Sequence, residues 1–371
     1  MTREELCIKK GEALASFQIK GEVLSCELYG NGHINDTFLV VCDVNGNLRR
    51  YILQRMNHEI FTKPVELMEN IQKVTAFLEK EIEKYGGDTK RETLHVVPSE
   101  NGNAYYKDSI GCYWRMYDFV EDTNSYDQVE RPEDFYESAY AFGSFQKLLA
   151  DFDASTLAET IPNFHNTPVR FQTFLDAVKA DVCGRASSVK EEIEFFLDHE
   201  ADMKICQKML EEGSLPLRVT HNDTKLNNIL LDKETGKGLC VIDLDTVMPG
   251  LSIFDFGDSI RFGANTAAED ETDLHKVSLD LELFKIYAKG YLKGCGGRLT
   301  ETEVEMMPQG AKNMTMECGM RFLTDYLQGD TYFRIHRPNH NLDRCRTQIA
   351  LVKDMERKWM EMKAIIEEAA K

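Results

Sequence analysis

The feature that most constrains this chain is a set of polar side chains at one end of a short apolar hairpin. Residues 219–231 read VTHNDTKLNNILL, a turn follows over 232–238, and residues 239–243 read LCVID. Two apolar runs joined by a turn containing Gly236 predict a β-hairpin. His221 and Asp223 precede its first strand, Asn228 stands beside them on the same arm, and Asp243 ends the second strand. The hairpin therefore carries two carboxylates and a carboxamide at one end. Such an all-oxygen set suits a hard cation, Mg²⁺ above all, together with a phosphate ligand.

The rest of the chain divides around this island. In the first third, residues 22–28, 36–43 and 49–55 are strand-like, and Asn45-Gly46 between the last two predicts a tight hairpin turn. A helix is expected from Pro64, with Leu67, Ile71, Val74, Leu78 and Ile82 on one stripe, ending at Gly86-Gly87. Two more strands are expected over 93–98 and 113–120. Beyond residue 121 the pattern turns helical, with 3.6-residue periodicity over 132–149, 171–180, 189–212, 279–293, 301–327 and 341–369. The strand-like island occupies 217–262. The expected architecture is α+β and two-lobed: a strand-rich N-lobe (1–120) and a mainly helical C-lobe (121–371) holding the hairpin. A cleft between such lobes is a natural ligand site.

Composition narrows the partners. The 371 residues carry 44 basic and 63 acidic side chains, a net charge of −19, with no local basic patch. Such a surface repels nucleic acid and anionic lipid. No apolar run approaches the ~18 residues of a membrane helix. The N-terminus, MTREELCIKK, lacks the apolar core of a signal peptide. The ten cysteines are scattered without a CxxC pair, so free thiols and a cytoplasmic location are expected.

His221, Asp223 and Asn228 fit the HxDxxxxN spacing of a protein-kinase catalytic loop, and Asp243 follows an apolar strand as the metal-binding Asp of that pattern does. The segments THNDTKLNNILL and VIDLDTVMPGLSIFDFGDSIRF resemble the aminoglycoside phosphotransferase-like branch of the kinase fold. Within that branch, GNGHINDTF (30–38), YILQRMN (51–57) and RFLTDYLQGDTYF (321–333) are similar to segments of the N-acetylhexosamine 1-kinases.

The resemblance implies ATP and Mg²⁺ as cofactors and transfer of the γ-phosphoryl group to the anomeric hydroxyl of an N-acetylhexosamine (GlcNAc or GalNAc), a small-molecule partner; neither nucleic acid nor membrane is expected as one. It implies that Asp223 is the catalytic acid/base, that Lys225 meets the γ-phosphate, that His221 braces the loop, and that Asn228 and Asp243 hold Mg²⁺. Gly30, Gly32, His33, Asn35 and Thr37 would cover the phosphates. Asp118 and Val120, in the hinge run 116–121, would read adenine through the backbone. Asp258, Arg261, Arg321, Asp325, Asp330 and Tyr332 are the acceptor candidates. The string Asp255-Phe256-Gly257 lies too far along to be the metal motif, so Asp255 is expected to anchor the catalytic loop. Asp245 is a candidate for a second metal. One departure stands out: the strand Lys that should face the phosphates is replaced by Gln54. Compensation would fall to Arg55 through a bulge, His33, Lys225 or the metal, and neither Glu66 nor Glu69 then has a partner Lys. Two alternatives follow: a kinase of the same fold for an aminoglycoside, choline, homoserine or methylthioribose, or a nucleotide-binding pseudokinase.

Overall fold

The computed structural model describes residues 3–30, 34–129 and 131–371, and Gly32 and His33 lie outside them. The chain opens with helix α1 (Arg3–Leu14), which the sequence reading did not anticipate. Strands β1 (Glu22–Leu28), β2 (Asp36–Val44) and β3 (Asn47–Met56) follow, then helix α2 (Pro64–Lys84), the short α3 (Thr89–Glu92), β4 (Tyr106–Lys107) and β5 (Tyr113–Asp118). The five strands form one antiparallel sheet in the order β1-β2-β3-β5-β4. Asn45 and Gly46 both adopt positive φ (55° and 86°), the conformation a two-residue hairpin turn needs to match strand twist. Residues 93–98 run beside β5 as a ribbon, with bonds from Val97 N to Met116 O and from Asp118 N to His95 O, rather than as a strand.

Alternation gives this sheet two faces. Phe38, Val40, Tyr51, Leu53, Trp114 and Met116 pack on one face with Ala13 and Phe17. Met56 and Tyr117 pack on the other against the α2 stripe, Leu67, Ile71, Val74, Leu78 and Ile82. That second core does not stop at the small lobe. It continues into Phe145, Val219, Cys240, Leu244 and Val247, so one apolar cluster spans the boundary near residue 120.

The larger lobe begins with β6 (Thr123–Asn124) and α4 (Pro132–Leu148), then α5 (Thr167–Ala180), α6 (Lys190–Asp198) and α7 (Glu200–Glu211). The island supplies β7 (Arg218–Thr220), β8 (Ile229–Asp232), β9 (Gly238–Val241) and β10 (Met248–Gly250). It ends at Gly250, because residues read as its tail form helix α8 (Ser252–Gly263). Helices α9 (Leu281–Cys295), α10 (Glu301–Glu305), α11 (Met307–Gln328), α12 (His340–Arg357) and α13 (Trp359–Ala369) complete the fold.

Three long periodic stretches are each broken once. Pro308 opens α11 after Met306, where a helix interior would reject it. His199 separates α6 from α7, its Nδ1 bonded to Phe195 O at 2.7 Å. Lys358 separates α12 from α13 and reaches Asp354 and Leu279 O, each at 2.7 Å. Among the described residues no helix is long and apolar enough to cross a membrane.

Candidate active site

The hairpin forms as expected. Ile229 pairs with Val241, and the bond from Ile242 N to Asn228 O (2.9 Å) carries the pairing one step further, bringing Asn228 beside the end of the opposite arm. Asp243 then adopts left-handed backbone (φ 59°), a costly conformation for a residue with a Cβ and one that recurs at functional sites.

The loop before β8 is held from below by α8. Asp255 accepts from His221 N (2.9 Å), Asn222 N (2.8 Å) and Gln146 Nε2 (3.0 Å), while Thr224 Oγ1 donates to Asp255 O at 2.6 Å. Burial pushes the Asp255 carboxyl pKa up, and the donated N–H bonds pull against it. Asp258 accepts from Thr224 N (3.0 Å) and from Arg261, and Ser259 Oγ donates to Thr224 O (2.7 Å). His221 accepts from Asp223 N on Nδ1 (3.3 Å), so its Nε2–H faces Ile242 O at 2.8 Å. Thus His221 splints the loop to the second arm.

Asp223 is bonded on one oxygen to Lys225 Nζ (2.8 Å) and on the other to Asn228 Nδ2 (3.2 Å). Burial works against the Lys225 charge, but Asp223 outweighs it and the ammonium pKa is raised. Asn228 also donates to Asp223 O (2.8 Å), which fixes its amide orientation and leaves Oδ1 for another ligand. Asp243 is exposed, yet many protein atoms lie around its carboxylate. Desolvation, with the nearby charges of Asp245 and Asp223, pushes its pKa up to about 7. A carboxylate whose ionisation is held back by its surroundings is a donor that a divalent cation would relieve. Asn228 Oδ1 and Asp243 therefore fit Mg²⁺.

Asp245 does not join them. It is buried and ion-paired to Arg115, and its Oδ2 accepts from Asn35 Nδ2 at 2.7 Å. Both oxygens are engaged toward the small lobe. Arg115 was not among the sequence candidates. It lies in register with Gln54, which lies in register with Thr37, so the three form a rung across β5, β3 and β2. Arg115 Nε donates to Gln54 Oε1 (2.8 Å), and Gln54 Nε2 donates to Thr37 Oγ1 (3.0 Å). The signal for Arg115 was present: it shares the strand phase of Gln54, facing inward, in a run otherwise too apolar to tolerate a charge without a partner.

Arg55 does not compensate for Gln54. The β2–β3 register is unbroken, so Arg55 points to the other face and pairs with Asp36 (2.5 Å). Glu69 is exposed, and the buried polar residue of α2 is Asn70, which donates to Ala158 O (2.8 Å) and Val247 O (3.1 Å). Gly30 turns with φ 74° at the start of the β1–β2 connection. In the hinge, Asp118 N and Phe119 N are taken by His95 O and Arg50 O, whereas Val120 N has no backbone partner among the described residues. The Asp118 side chain pairs with Arg49 (2.7 Å).

The acceptor candidates separate by geometry. Asp325 accepts from the backbone N–H groups of Thr331, Tyr332 and Phe333 at 2.8–2.9 Å and from Asn341 (2.9 Å), so it caps the loop after α11 and offers a sugar no free oxygen. Asp330 is bonded to Arg185 (2.7 Å) and Asn341 (2.9 Å) in the same way. Arg261 bridges Asp258 and Glu269. The side chains of these four are engaged by other residues of the fold. Arg321 differs: it forms no hydrogen bond or ion pair among the described residues, and its guanidinium lies 5.5–5.9 Å from the rings of Phe164, Tyr332 and Phe333. Beneath it, buried Glu317 accepts from His165 Nδ1 (2.8 Å) and Thr167 Oγ1 (2.7 Å). Phe164, His165 and Glu317 carried no motif in the sequence and are assembled by the fold.

Known proteins share this arrangement of lobes. An aminoglycoside phosphotransferase from Alicyclobacillus acidocaldarius superposes with a TM-score of 0.57 at 11% identity, covering 96% of both chains. A choline kinase from Cryptosporidium parvum gives 0.54 at 15% identity, covering 92% of this chain and 91% of its own. A spectinomycin phosphotransferase, in complex with ADP and spectinomycin, gives 0.52 at 11%, covering 94% and 98%. At such identities the likeness establishes the fold, a two-lobed kinase-like α+β architecture. The model of the phosphotransferase enzyme family (APH) matches residues 25–280, well over half of the chain, and the protein belongs to that family.

Proposed function

We propose that this protein transfers the γ-phosphoryl group of ATP to the anomeric hydroxyl of an N-acetylhexosamine, giving the sugar 1-phosphate. Asp223 orients or accepts the hydroxyl proton, with Lys225 beside it to meet the γ-phosphate. Asn228 and Asp243 hold Mg²⁺, which when bound neutralises charge on the transferring phosphoryl group. Val120 N–H, without a backbone partner among the described residues, is the hinge donor for adenine. An anomeric hydroxyl is more acidic than an ordinary alcohol, so positioning and electrostatics suffice.

The observation that carries the acceptor reading is Arg321. Its donors are uncommitted among the described residues, and its aromatic surround is occupied by its own guanidinium. An aromatic cage filled by an internal cation is a poor site for choline. The fork suits a sugar hydroxyl or an acetamido carbonyl, and the exposed ring of Tyr332 suits the apolar face of a pyranose. The second reading, a kinase for an aminoglycoside or amino alcohol, draws on the activities named for the structural relatives. ADP release with Mg²⁺-ATP across a panel of N-acetylhexosamines, aminoglycosides and amino alcohols separates them. Turnover is expected with GlcNAc or GalNAc. Turnover confined to choline, ethanolamine or aminoglycosides would overturn the sugar assignment, and none with any acceptor would favour a nucleotide-binding regulator.

A further inference from the structure

We propose that Arg115 is a positioning residue that sets the metal-bearing turn at Asp243 in register with the small lobe, taking over the alignment lost with the missing strand lysine. The proposal rests on the reading of Asp243 as a Mg²⁺ ligand. Three observations lead to it.

First, the connection is continuous. Arg115 is 1% exposed and Asp245 4%. From Arg115 the bonds run one way through Gln54 to Thr37, and the other way through Asp245 to Asn35, whose Oδ1 accepts from Asn57 N at 2.9 Å. One acid therefore fixes both the start of β2, where the glycine turn ends, and the turn that contains Asp243.

Second, Asp243 is bracketed. Leu244 on its far side is buried in the core shared with α2, and Asp245 is clamped by Arg115. With the next two residues immobilised, Asp243 is held in the left-handed backbone it would otherwise leave. Partners that orient a metal ligand without touching the metal change affinity or activity by about 10–100-fold when removed.

Third, a buried ion pair is weak evidence for stability. Replacing a buried ion pair with uncharged groups of similar size is often neutral or stabilising, so a chain keeping one across two lobes gains alignment from it. The other nearby cations are committed elsewhere: Arg55 faces away and pairs with Asp36, and Lys225 pairs with Asp223.

The test removes both charges together, since deleting one would leave the other buried without a partner. The double variant Arg115→Met with Asp245→Asn is purified beside the wild type. Titration calorimetry measures ADP binding with and without Mg²⁺, thermal unfolding measures stability, and steady-state kinetics follow the acceptor. The double variant is expected to unfold near the wild-type temperature and to keep its affinity for Mg²⁺-free ADP and its acceptor KM. The gain in ADP affinity on adding Mg²⁺ falls about 10–100-fold, with a parallel loss in kcat. Should the double variant not fold, Arg115→Lys serves instead. It keeps a charge beside Asp245 but cannot span to Gln54, and a loss of Mg²⁺ dependence smaller than that of the double variant is expected. Wild-type Mg²⁺ dependence in either folded variant overturns the proposal and leaves the pair as lobe packing. A wild type that binds ADP with no response to Mg²⁺ would sink the metal assignment of Asp243 and this inference with it.

Discussion

Asp223→Asn keeps the shape of the carboxylate but removes the charge that Lys225 and the acceptor hydroxyl need. Turnover is expected to fall by at least ~10²-fold, while ATP affinity measured by calorimetry changes little. Retention of more than about half the activity would remove Asp223 from the chemistry. Two other aspartates are told apart by opposite readouts. Asp243→Ala should abolish the Mg²⁺ dependence of nucleotide binding. Asp255→Ala strips the loop of its bonds to His221 N and Asn222 N and should chiefly lower the unfolding temperature. If Asp255→Ala were the variant that loses the metal response, the two roles would have to be exchanged. Arg321→Ala should cost the sugar about 1.5–3 kcal/mol, a 10- to 150-fold loss in kcat/KM, because a charged fork is lost. Kinetics varying sugar and ATP separately should show the ATP term nearly unchanged. Equal weakening toward both would mean that Arg321 serves packing.

Elements meet here through small residues and buried ion pairs. The glycine of the Asp255-Phe256-Gly257 string has no metal loop to serve. A Cβ on Gly257 would lie 2.4 Å from Gly310 O, so the residue is there to let α8 approach α11. Gly257→Ala should therefore destabilise the fold by about 1–3 kcal/mol, the range for overpacking a close contact, readable as a shift in denaturant midpoint. At the end of α12, Asp354 binds Lys358 (2.7 Å), Arg357 (2.8 Å) and Leu279 N (2.7 Å). Desolvation opposes its ionisation, but these donors win and bring its pKa down to about 2 from the ordinary 3.8. A depressed carboxylate stabilises above its unfolded pKa, and that stability is lost as pH falls through the folded value. The contribution, discounted for solvent screening, is roughly 1–2 kcal/mol. Unfolding temperatures of wild type and Asp354→Asn should differ near pH 6 and converge as pH falls from about 4 to about 2. A constant gap over that range would deny the carboxylate this role.

At the scale of the whole molecule, the core that joins α2 to Val219, Cys240, Leu244 and Val247 makes the lobes one packing unit. Calorimetric unfolding is expected as a single transition, with the small lobe unable to melt ahead of the hairpin. Two separated transitions would mean that this core is weaker than its burial implies. Much of this was legible in sequence. Strands β1, β2, β3 and β5, the α2 stripe, the Asn45-Gly46 turn and the hairpin end with Asp223, Asn228 and Asp243 all follow from local periodicity, turn chemistry and fixed spacing, which act within a few residues, whereas β4 and the ribbon over 93–98 do not. Pro308 signals the break at Met306, whereas the breaks at His199 and Lys358 were not legible, because no Pro or Gly marks them. Nor was the fate of the charged acceptor candidates. Asp325 and Arg321 stand four apart on one helix, yet Asp325 turns to the backbone of residues 331–333, whereas Arg321 is left among aromatic rings. The sequence alone determined which residue types stand at the hairpin end. Only the tertiary structure decided that Arg115, two strands from the glycine turn, would meet Asp245 across the cleft. A buried charge takes the partner that three-dimensional packing brings to it, and separation along the chain does not record that meeting.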